Sequence, residues 1–306
     1  MRAIVTGAAG FLGGQLAARL AADPRITGVV GLDRATPPAG APFQAIAADI
    51  ARFAEVTPPA DLVIHAAAIT SQASEADPDA AFAINVEGTR AVLRWARAQP
   101  VPPRVLLLSS IAVFGRGDPV ATEDTPPDPR SAYGTTKLIA ERLLLDATRR
   151  GEVEGVILRL PVNLVRTGAR TAPPGAGFVS VLIDAALRGR RYTAPLAPDH
   201  AVPVASIEAC LGLAMRAALG SVPAGLLHVP SLAGSAESAR AALAACGVAG
   251  VRIGCAPDPA VEALVAGWPA RLGTLYPGFS ADLADPGLEP IIRAHAARLR
   301  AEAAAA

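Results

Sequence analysis

Hydrophobic and polar positions follow two periods along the first half of the chain, one typical of strands and one typical of helices. Short aliphatic runs predict strands at 3–6, 26–32, 43–47, 62–64, 105–108 and 156–160. Apolar residues spaced three and four apart predict helices at 12–22, 80–98 and 133–150. Because strands and helices take turns, and crossovers between parallel strands are right-handed, the pattern predicts an α/β fold with a doubly wound parallel sheet.

The pattern loosens beyond Pro161, where prolines and glycines interrupt the apolar runs, as at 173–177. Helical spacing returns at 178–187, 207–219, 236–246 and 290–304. The sequence therefore predicts a first domain over 1–165 and a smaller C-terminal α+β lobe over 166–306, interleaved with it.

Composition excludes several classes of protein. Hydrophobic residues make up 52% of the chain and charged residues 18%, which excludes a disordered chain. A net charge of +1 provides no positive electrostatic field to attract nucleic acid or anionic lipid. The sequence also contains no apolar run of 18 residues, the length needed to span a bilayer. The three scattered cysteines indicate neither a disulfide framework nor a metal site. The chain opens on a predicted strand, so we expect a cytoplasmic protein without a leader.

A rare residue pair indicates acid–base chemistry. Lys137 is the only lysine among 28 basic side chains, and it follows Tyr133 by four residues on a predicted helix. This spacing places the phenol and the ammonium on one helix face, and a neighbouring cation favours the phenolate that accepts a proton. Ser109 and Ser110 close the fifth predicted strand. The alternative is a surface Tyr–Lys pair with serines that merely end a strand.

Glycines between the first strand and the first helix predict a nucleotide site. Gly7, Gly10 and Gly13 allow a tight turn, while Phe11 and Leu12 begin a helix whose free N–H groups attract pyrophosphate. Because these glycines follow a predicted strand and precede a predicted helix, they indicate a Rossmann-type sheet. The alternative is an ordinary βα turn.

Asp33 ends the second predicted strand, where a carboxylate accepts from ribose hydroxyls and repels a 2′-phosphate. NAD is therefore the predicted cofactor, although Arg34 beside it could meet a 2′-phosphate. Further cofactor contacts are expected at positions that follow the third and fourth strands, namely Asp49, Ile50, Ala66, Ala67 and Ala68.

These residues together resemble the extended short-chain dehydrogenase/reductase family, which includes nucleotide-sugar epimerases and dehydratases. The matching segments are 6–13, Asp33, Asp49, 65–68, 85–89, 109–115, 133–137 and 158–161. The resemblance implies that Ser110 polarises the substrate hydroxyl, Tyr133 is the acid/base, and Lys137 holds the nicotinamide ribose.

The same resemblance places Asn85, Pro161 and Val162 beside the cofactor. His65 is interpreted as a structural residue at a strand end, although its position also suits a catalytic role. In the family, helices equivalent to 80–98 and 133–150 form an isologous four-helix interface, so we expect a homodimer.

The second half resembles the D-erythronate dehydrogenase branch at 165–168, 177–180, 257–259, 267–271 and 278–282. That implies NAD-dependent oxidation of the C2 hydroxyl of a small sugar acid. The chain departs from the branch at Ser71-Gln72, 184–187 and 199–203. Candidate substrate residues are Ser71, Ser110, Ile111, Tyr133, Asn163, Arg166, Arg170 and Phe178.

Three of those candidates, Asn163, Arg166 and Arg170, either anchor a carboxylate or are solvated loop residues. Other functions remain open, namely a nucleotide-sugar 4-epimerase that retains NAD, a uronate dehydrogenase, and a non-catalytic NAD-sensing protein.

Overall fold

A computed structural model describes residues 1–37, 40–165, 177–223 and 225–305. The strands are β1 Arg2–Thr6, β2 Gly28–Asp33, β3 Gln44–Ala47, β4 Leu62–His65, β5 Arg104–Ser110, β6 Val120–Ala121, β7 Glu154–Leu160, β8 Val162–Leu164, β9 Tyr192–Ala194, β10 Val202–Ser206, β11 Leu226–His228, β12 Leu232–Gly234, β13 Ile253–Cys255 and β14 Arg271–Leu272.

The α-helices are α1 Phe11–Ala21, α2 Phe53–Val56, α3 Ser71–Ala76, α4 Pro78–Ala81, α5 Gly88–Arg97, α6 Ala132–Arg149, α7 Phe178–Leu187, α8 Ile207–Leu219, α9 Ala236–Ala245, α10 Pro259–Val265, α11 Pro277–Ser280 and α12 Leu288–Ala305. Short 3₁₀ turns lie at Ile50–Arg52 and Ile111–Val113, and a π-helical segment lies at Phe82–Glu87.

The main sheet has seven strands in the order β3, β2, β1, β4, β5, β7, β11. Strand β1 pairs in parallel with β2 on one side and with β4 on the other, so that Ala3 lies between Val29 and Leu62. The order reverses at β1, and the carboxyl end of a parallel sheet at such a switch point is where α/β proteins bind ligands. The predicted Rossmann-type sheet is confirmed.

The described chain divides into two compact units. The first comprises 1–113, 129–159 and 211–227, and the second comprises 114–128, 160–210 and 228–306. Each unit is therefore built from separate stretches of sequence. The predicted domains, 1–165 for the cofactor and 166–306 for the substrate, stay a prediction about binding roles.

The core of the first unit packs helices against the aliphatic strands. Helix α5 buries Val92, Leu93 and Trp95, and the Trp95 ring meets Phe53 edge-on at a centroid distance of 5.4 Å. Such an aromatic pair contributes about 0.5–1.5 kcal/mol beyond the burial of its surface. The apolar residues of α5 are thus used inside the chain itself.

The helix predicted over 80–98 is not a uniform α-helix. It consists of α4, the π-helical segment and α5, which follow one another without a break from residue 78 to residue 97. Single π turns, which have more residues per turn than an α-helix, are common at functional sites, and this one contains the buried Asn85. Sequence periodicity predicted the element but not the additional residue in this turn.

The second unit has its own sheet and core. Strands β12, β10 and β8 form a three-stranded sheet, and Phe178 of α7 is fully buried in the apolar cluster beside it. On the same helix Asp184 accepts from Nε2 of the buried His295 at 2.9 Å and pairs with Arg188 and Arg190. These contacts give Asp184, at one of the departures from the branch, a structural role within this unit.

Among the helices described, none combines the length and the apolar character that crossing a bilayer requires. Within the same residues, histidines, cysteines and carboxylates form no cluster of three that could hold a metal ion. The cytoplasmic location expected from the sequence stays a prediction.

Candidate active site

The turn after β1 can be built only with glycine at its key positions. Gly7 has a φ of +72°, and its N–H donates to Leu32 O at 2.8 Å. A Cβ on Gly7 would lie 2.8 Å from Ala67 N, and a Cβ on Gly13 would lie 2.1 Å from Gly7 O. Helix α1 therefore starts in direct contact with the turn, as the glycine spacing predicted.

The N-terminus of α1 is open to an anion. Its cap, Gly10, has no side chain to accept from the first N–H groups, and the first turn contains no acidic residue. Phe11 and Leu12 in that turn are partly exposed. Helix N-termini of this kind bind phosphate through N–H groups and the helix dipole, so the turn fits a pyrophosphate.

Asp33 lies at the rim of the same turn. Its Oδ2 accepts from Ala9 N at 3.0 Å and its Oδ1 from Ala35 N at 3.1 Å, which fixes the carboxylate beside the glycine turn. A carboxylate oxygen has lone pairs left for further donors, so this group fits the two hydroxyls of a ribose. Arg34 is exposed.

We expect the wild-type protein to prefer NAD over NADP by at least about tenfold in kcat/KM, because Asp33 would face a 2′-phosphate with like charge. Asp33→Ser should narrow or reverse that ratio, since Arg34 is then free to meet the phosphate. Steady-state kinetics with both cofactors measures the ratio.

Arg34→Ala is the matched control for this prediction, because it removes the competing cation and should leave the preference for NAD in place. Equal use of both cofactors by the wild-type protein would show that Arg34 governs the pocket and contradict the assignment of Asp33.

The other predicted cofactor residues differ in exposure. Asp49 is exposed, and its Oδ1 caps the following 3₁₀ turn by accepting from Ala51 N at 2.9 Å. Ile50 is buried in the core, where a Cβ on Gly88 would lie 2.9 Å from its Cγ2. The partly buried residues Ala66, Ala67 and Ala68 follow β4 beside Gly7. Their contacts with the cofactor stay predictions.

A buried histidine joins the glycine turn to the next strand. The Thr6 hydroxyl oxygen accepts from Ala66 N at 3.2 Å and from Ala67 N at 3.1 Å, which leaves its proton for Nδ1 of His65 at 2.8 Å. Nε2 of His65 therefore carries the ring hydrogen and donates to Thr89 Oγ1 at 3.0 Å. Burial and the nearby Lys137 charge lower the pKa of His65 to about 3. These bonds support a structural, neutral histidine.

Asn85 connects the loop after β4 to the helix that carries Tyr133. Its Oδ1 accepts from Ile69 N at 2.9 Å, and its Nδ2 donates to Ile69 O and to Thr136 Oγ1, each at 3.0 Å. Thr136 in turn donates to Tyr133 O at 3.0 Å. Asn85 thus acts here through backbone and helix contacts, and its predicted contact with the cofactor is untested.

Helix α6 begins tightly against the turn after Ser110. Its N-cap, Ser131, accepts from Gly134 N at 3.0 Å, and a Cβ on Gly134 would lie 2.0 Å from Ala112 O. Ser110 Oγ accepts from Ala112 N at 3.2 Å in that same turn. The partly exposed Tyr133 therefore starts α6 next to the segment that holds Ser110.

Lys137 is buried one turn along α6, with 3% of its surface exposed. Burial lowers the pKa of its ammonium to about 8, while the negative charge of Glu141 acts in the opposite direction. The lysine is therefore mainly charged near neutral pH, as a group that stabilises a phenolate must be. The surface Tyr–Lys pair considered as an alternative does not describe this buried lysine.

The predicted substrate residues lie in both units. In the first unit Ser71 is partly buried with a φ of +34°, and Ile111 is fully buried after Ser110. In the second unit Phe178 is buried, and of the predicted cofactor residues there Pro161 is buried and Val162 is partly buried. Asn163 Oδ1 is buried there, and no residue in the described part of the chain donates a hydrogen bond to it. Arg166 and Arg170 lie outside the described residues.

Sequence reasoning missed Glu141 and Arg159, which form a buried ion pair beside the site with Nη2 of Arg159 2.7 Å from Oε2 of Glu141. A signal was available, because Glu141 follows Lys137 by four residues on the same helix. Its partner on β7 could not be inferred from local spacing.

The fold and the site together define an NAD-binding enzyme with a Tyr–Lys pair. The model of the NAD dependent epimerase/dehydratase family matches residues 3–199, which is more than half of the chain. The chain belongs to this family. The predicted class, an NAD-dependent oxidoreductase with NAD as cofactor, is confirmed.

The similar proteins include two sugar-acid enzymes. D-erythronate dehydrogenase of Cupriavidus necator is 33% identical over an alignment that covers 96% of this chain and 98% of the relative. D-erythronate dehydrogenase of Haemophilus influenzae is 29% identical and covers 92% and 95%. The crystal structure of a nucleoside-diphosphate-sugar epimerase from Agrobacterium tumefaciens superposes with a TM-score of 0.84 at 29% identity, covering 96% of this chain and 93% of that one.

Proposed function

We propose that this protein oxidises the C2 hydroxyl of a small, D-erythronate-like sugar acid to a 2-keto acid. The observation that carries the chemistry is the buried, charged Lys137 one turn after Tyr133, on a helix that begins against the Ser110 turn. The substrate class is taken from the two D-erythronate dehydrogenases, whose similarity extends over nearly the whole chain.

Each residue of the proposed site has a separate role. Ser110 holds the substrate hydroxyl oxygen, and Tyr133 removes its proton as a phenolate that the Lys137 ammonium stabilises. Bound NAD would supply the acceptor for the hydride of the same carbon. Lys137 would also hold the nicotinamide ribose, so that one side chain would serve both cofactor and base.

We propose Asn163 as a substrate contact, because no described residue donates to its buried Oδ1. A buried acceptor without a donor costs free energy, and a substrate hydroxyl would supply that donor. An amide oxygen only accepts hydrogen bonds, so a hydroxyl of the sugar acid suits Asn163 Oδ1, whereas a carboxylate could be bound only through the Nδ2 of Asn163.

A substrate screen tests the proposal. The purified protein is mixed with NAD and with D-erythronate, D-threonate, L-threonate, D-glucuronate or UDP-glucose, and NADH absorbance is followed. We expect the highest kcat/KM with a four-carbon acid. Preference for D-glucuronate would make the protein a uronate dehydrogenase and overturn the proposed substrate.

The same screen separates an epimerase from a dehydrogenase. An epimerase would be purified with retained NAD, would produce no net NADH, and would convert UDP-glucose to UDP-galactose. The similarity to a nucleoside-diphosphate-sugar epimerase makes this the necessary comparison. A protein that binds NAD but turns over none of these compounds would instead support a non-catalytic NAD sensor.

We also propose a homodimer that uses α5 and α6. The apolar residues of α5 are buried inside the chain, so its outer face carries the exposed Arg90, Arg94 and Arg97 and the contact would be polar. Light scattering at micromolar concentration, at low and high salt, measures the oligomeric state. A monomer under both conditions would remove the proposal.

A further inference from the structure

A carboxylate is buried directly beside the catalytic helix residues. Glu141, on α6, has 1% of its surface exposed. Its Oε1 accepts from Ser109 Oγ at 2.5 Å and from Arg159 Nε at 2.9 Å, and its Oε2 accepts from Arg159 Nη2 at 2.7 Å. The Glu141–Arg159 pair is therefore bidentate and enclosed in the first unit.

This carboxylate joins three elements that carry the proposed chemistry. Ser109 immediately precedes Ser110 at the end of β5, and Arg159 lies near the end of β7. Glu141 itself is one helical turn from Lys137 and two from Tyr133, both on α6. The position of each strand end relative to the helix thus depends on hydrogen bonds to one side chain.

Stability alone does not explain a buried ion pair. Replacing such a pair with well-packed apolar residues is often neutral or stabilising, because both charges lose their hydration on burial. What apolar residues cannot supply is a negative charge near Lys137 and a directional acceptor for Ser109. Since apolar residues would supply neither property, we infer that the Glu141–Arg159 pair has a role in the site.

The charged groups around Lys137 show how the Glu141 carboxylate affects the pKa of the lysine. Burial lowers the pKa of Lys137 to about 8, and the Glu141 charge opposes that change. On β4, His65 is neutral, because burial and Lys137 lower its pKa to about 3. On β7, the charge of Arg159 is matched by its two bonds to Glu141. Tyr133 precedes Lys137 by one turn on its own helix.

We propose that Glu141 is a positioning residue, which fixes the Ser109–Ser110 end of β5 against α6 and keeps the Lys137 ammonium charged. It acts through Ser109 and Lys137. The inference rests on the proposed roles of Ser110, Tyr133 and Lys137, so its first test uses a measurement that requires no substrate.

The first test exploits the single lysine of the chain. Protein grown with lysine isotope-labelled at Cε gives one lysine NMR signal, whose titration reports the pKa of Lys137 directly. Glu141→Gln should lower that pKa by about one pH unit, because the negative charge of Glu141 is lost while the positive charge of Arg159 remains. The Glu141→Leu/Arg159→Met double variant should lower it less, since both charges are removed.

Asp146→Asn is the matched control for this titration. It removes a carboxylate from the same helix, but Asp146 is 45% exposed and pairs with Arg149 and Arg150. The control should leave the Lys137 signal unchanged. An unchanged Lys137 pKa in Glu141→Gln would overturn the electrostatic part of the proposal.

The second test separates positioning from stability. The double variant should regain the Tm that Glu141→Gln loses, yet its kcat should stay about tenfold below wild type. Recovery of both Tm and kcat would show that the pair is merely structural and overturn the proposal.

If Glu141→Gln does not fold, Ser109→Ala decides, because it removes one hydrogen bond and leaves the ion pair. It should lower kcat several-fold while the protein stays folded with a modest loss of Tm, and an unchanged kcat would contradict the positioning role. Failure of the proposed function would look different. The wild-type protein would then turn over no substrate, while the Lys137 pKa would still differ between the wild type and the Glu141 variants.

Discussion

Tyr133→Phe should lower kcat by about 10²–10⁴-fold, the usual contribution of a positioned acid/base, while the protein still binds NAD. The ring is retained, so the packing at the start of α6 persists and only the hydroxyl is lost. Because the proton acceptor is missing in the transition state, kcat and kcat/KM should fall together. Steady-state kinetics with the best sugar acid and calorimetric titration with NAD measure the two effects.

Tyr276→Phe is the matched control, since Tyr276 lies in the second unit at the N-cap of α11. It should retain wild-type turnover. Near-wild-type kcat in Tyr133→Phe would remove Tyr133 from the mechanism and leave another group as the base.

Lys137→Arg should reduce turnover by about 10²-fold or more, although it preserves the positive charge. Lys137 is 3% exposed, so a larger planar guanidinium cannot occupy the same space without moving α6 or its neighbours. The displaced cation would stabilise the Tyr133 phenolate less well and would be poorly placed for the proposed contact with the nicotinamide ribose. We therefore expect weaker NAD binding together with lower kcat.

Lys137→Met provides the comparison for this variant, because it keeps an unbranched side chain of similar length and removes the charge. Both variants should be nearly inactive, and Lys137→Met should have the higher Tm, since it buries no charge. Full turnover in Lys137→Arg would show that charge alone suffices and that the compact ammonium is dispensable.

The sequence predicted the elements whose hydrophobic period is long and unbroken. Helices α7 and α8 begin and end at the predicted residues, and the predicted strands of the main sheet differ from β1, β2, β4 and β5 by at most two residues at either end. The glycine turn and the Tyr133–Lys137 pair could be identified because each is a local spacing with one chemical purpose. The family match confirms the class of enzyme that they indicated.

The missed features depend on partners that are distant in sequence. Helix α10 is the exception, because its start is a local signal, with Asp258 as cap and Pro259 in the first turn. Strands β6 and β14 have two residues each and exist because they pair with each other. The Glu141–Arg159 pair joins residues 18 positions apart, and local spacing reveals only its Glu141 half.

The π turn at Phe82–Glu87 separates two α-helical segments whose side chains differ in their rotational phase around the helix axis. Each residue of an α-helix advances the direction of the side chains by about 100°, so one additional residue in the wide turn rotates everything after it by that angle. Asn85 lies inside this turn and faces Ile69, whereas Val92 and Trp95, which follow the turn, face the core. Deleting one residue from this turn should leave the helix intact but rotate every residue after the turn by about 100° around the helix axis. The side chains that now face the core would then point away from it.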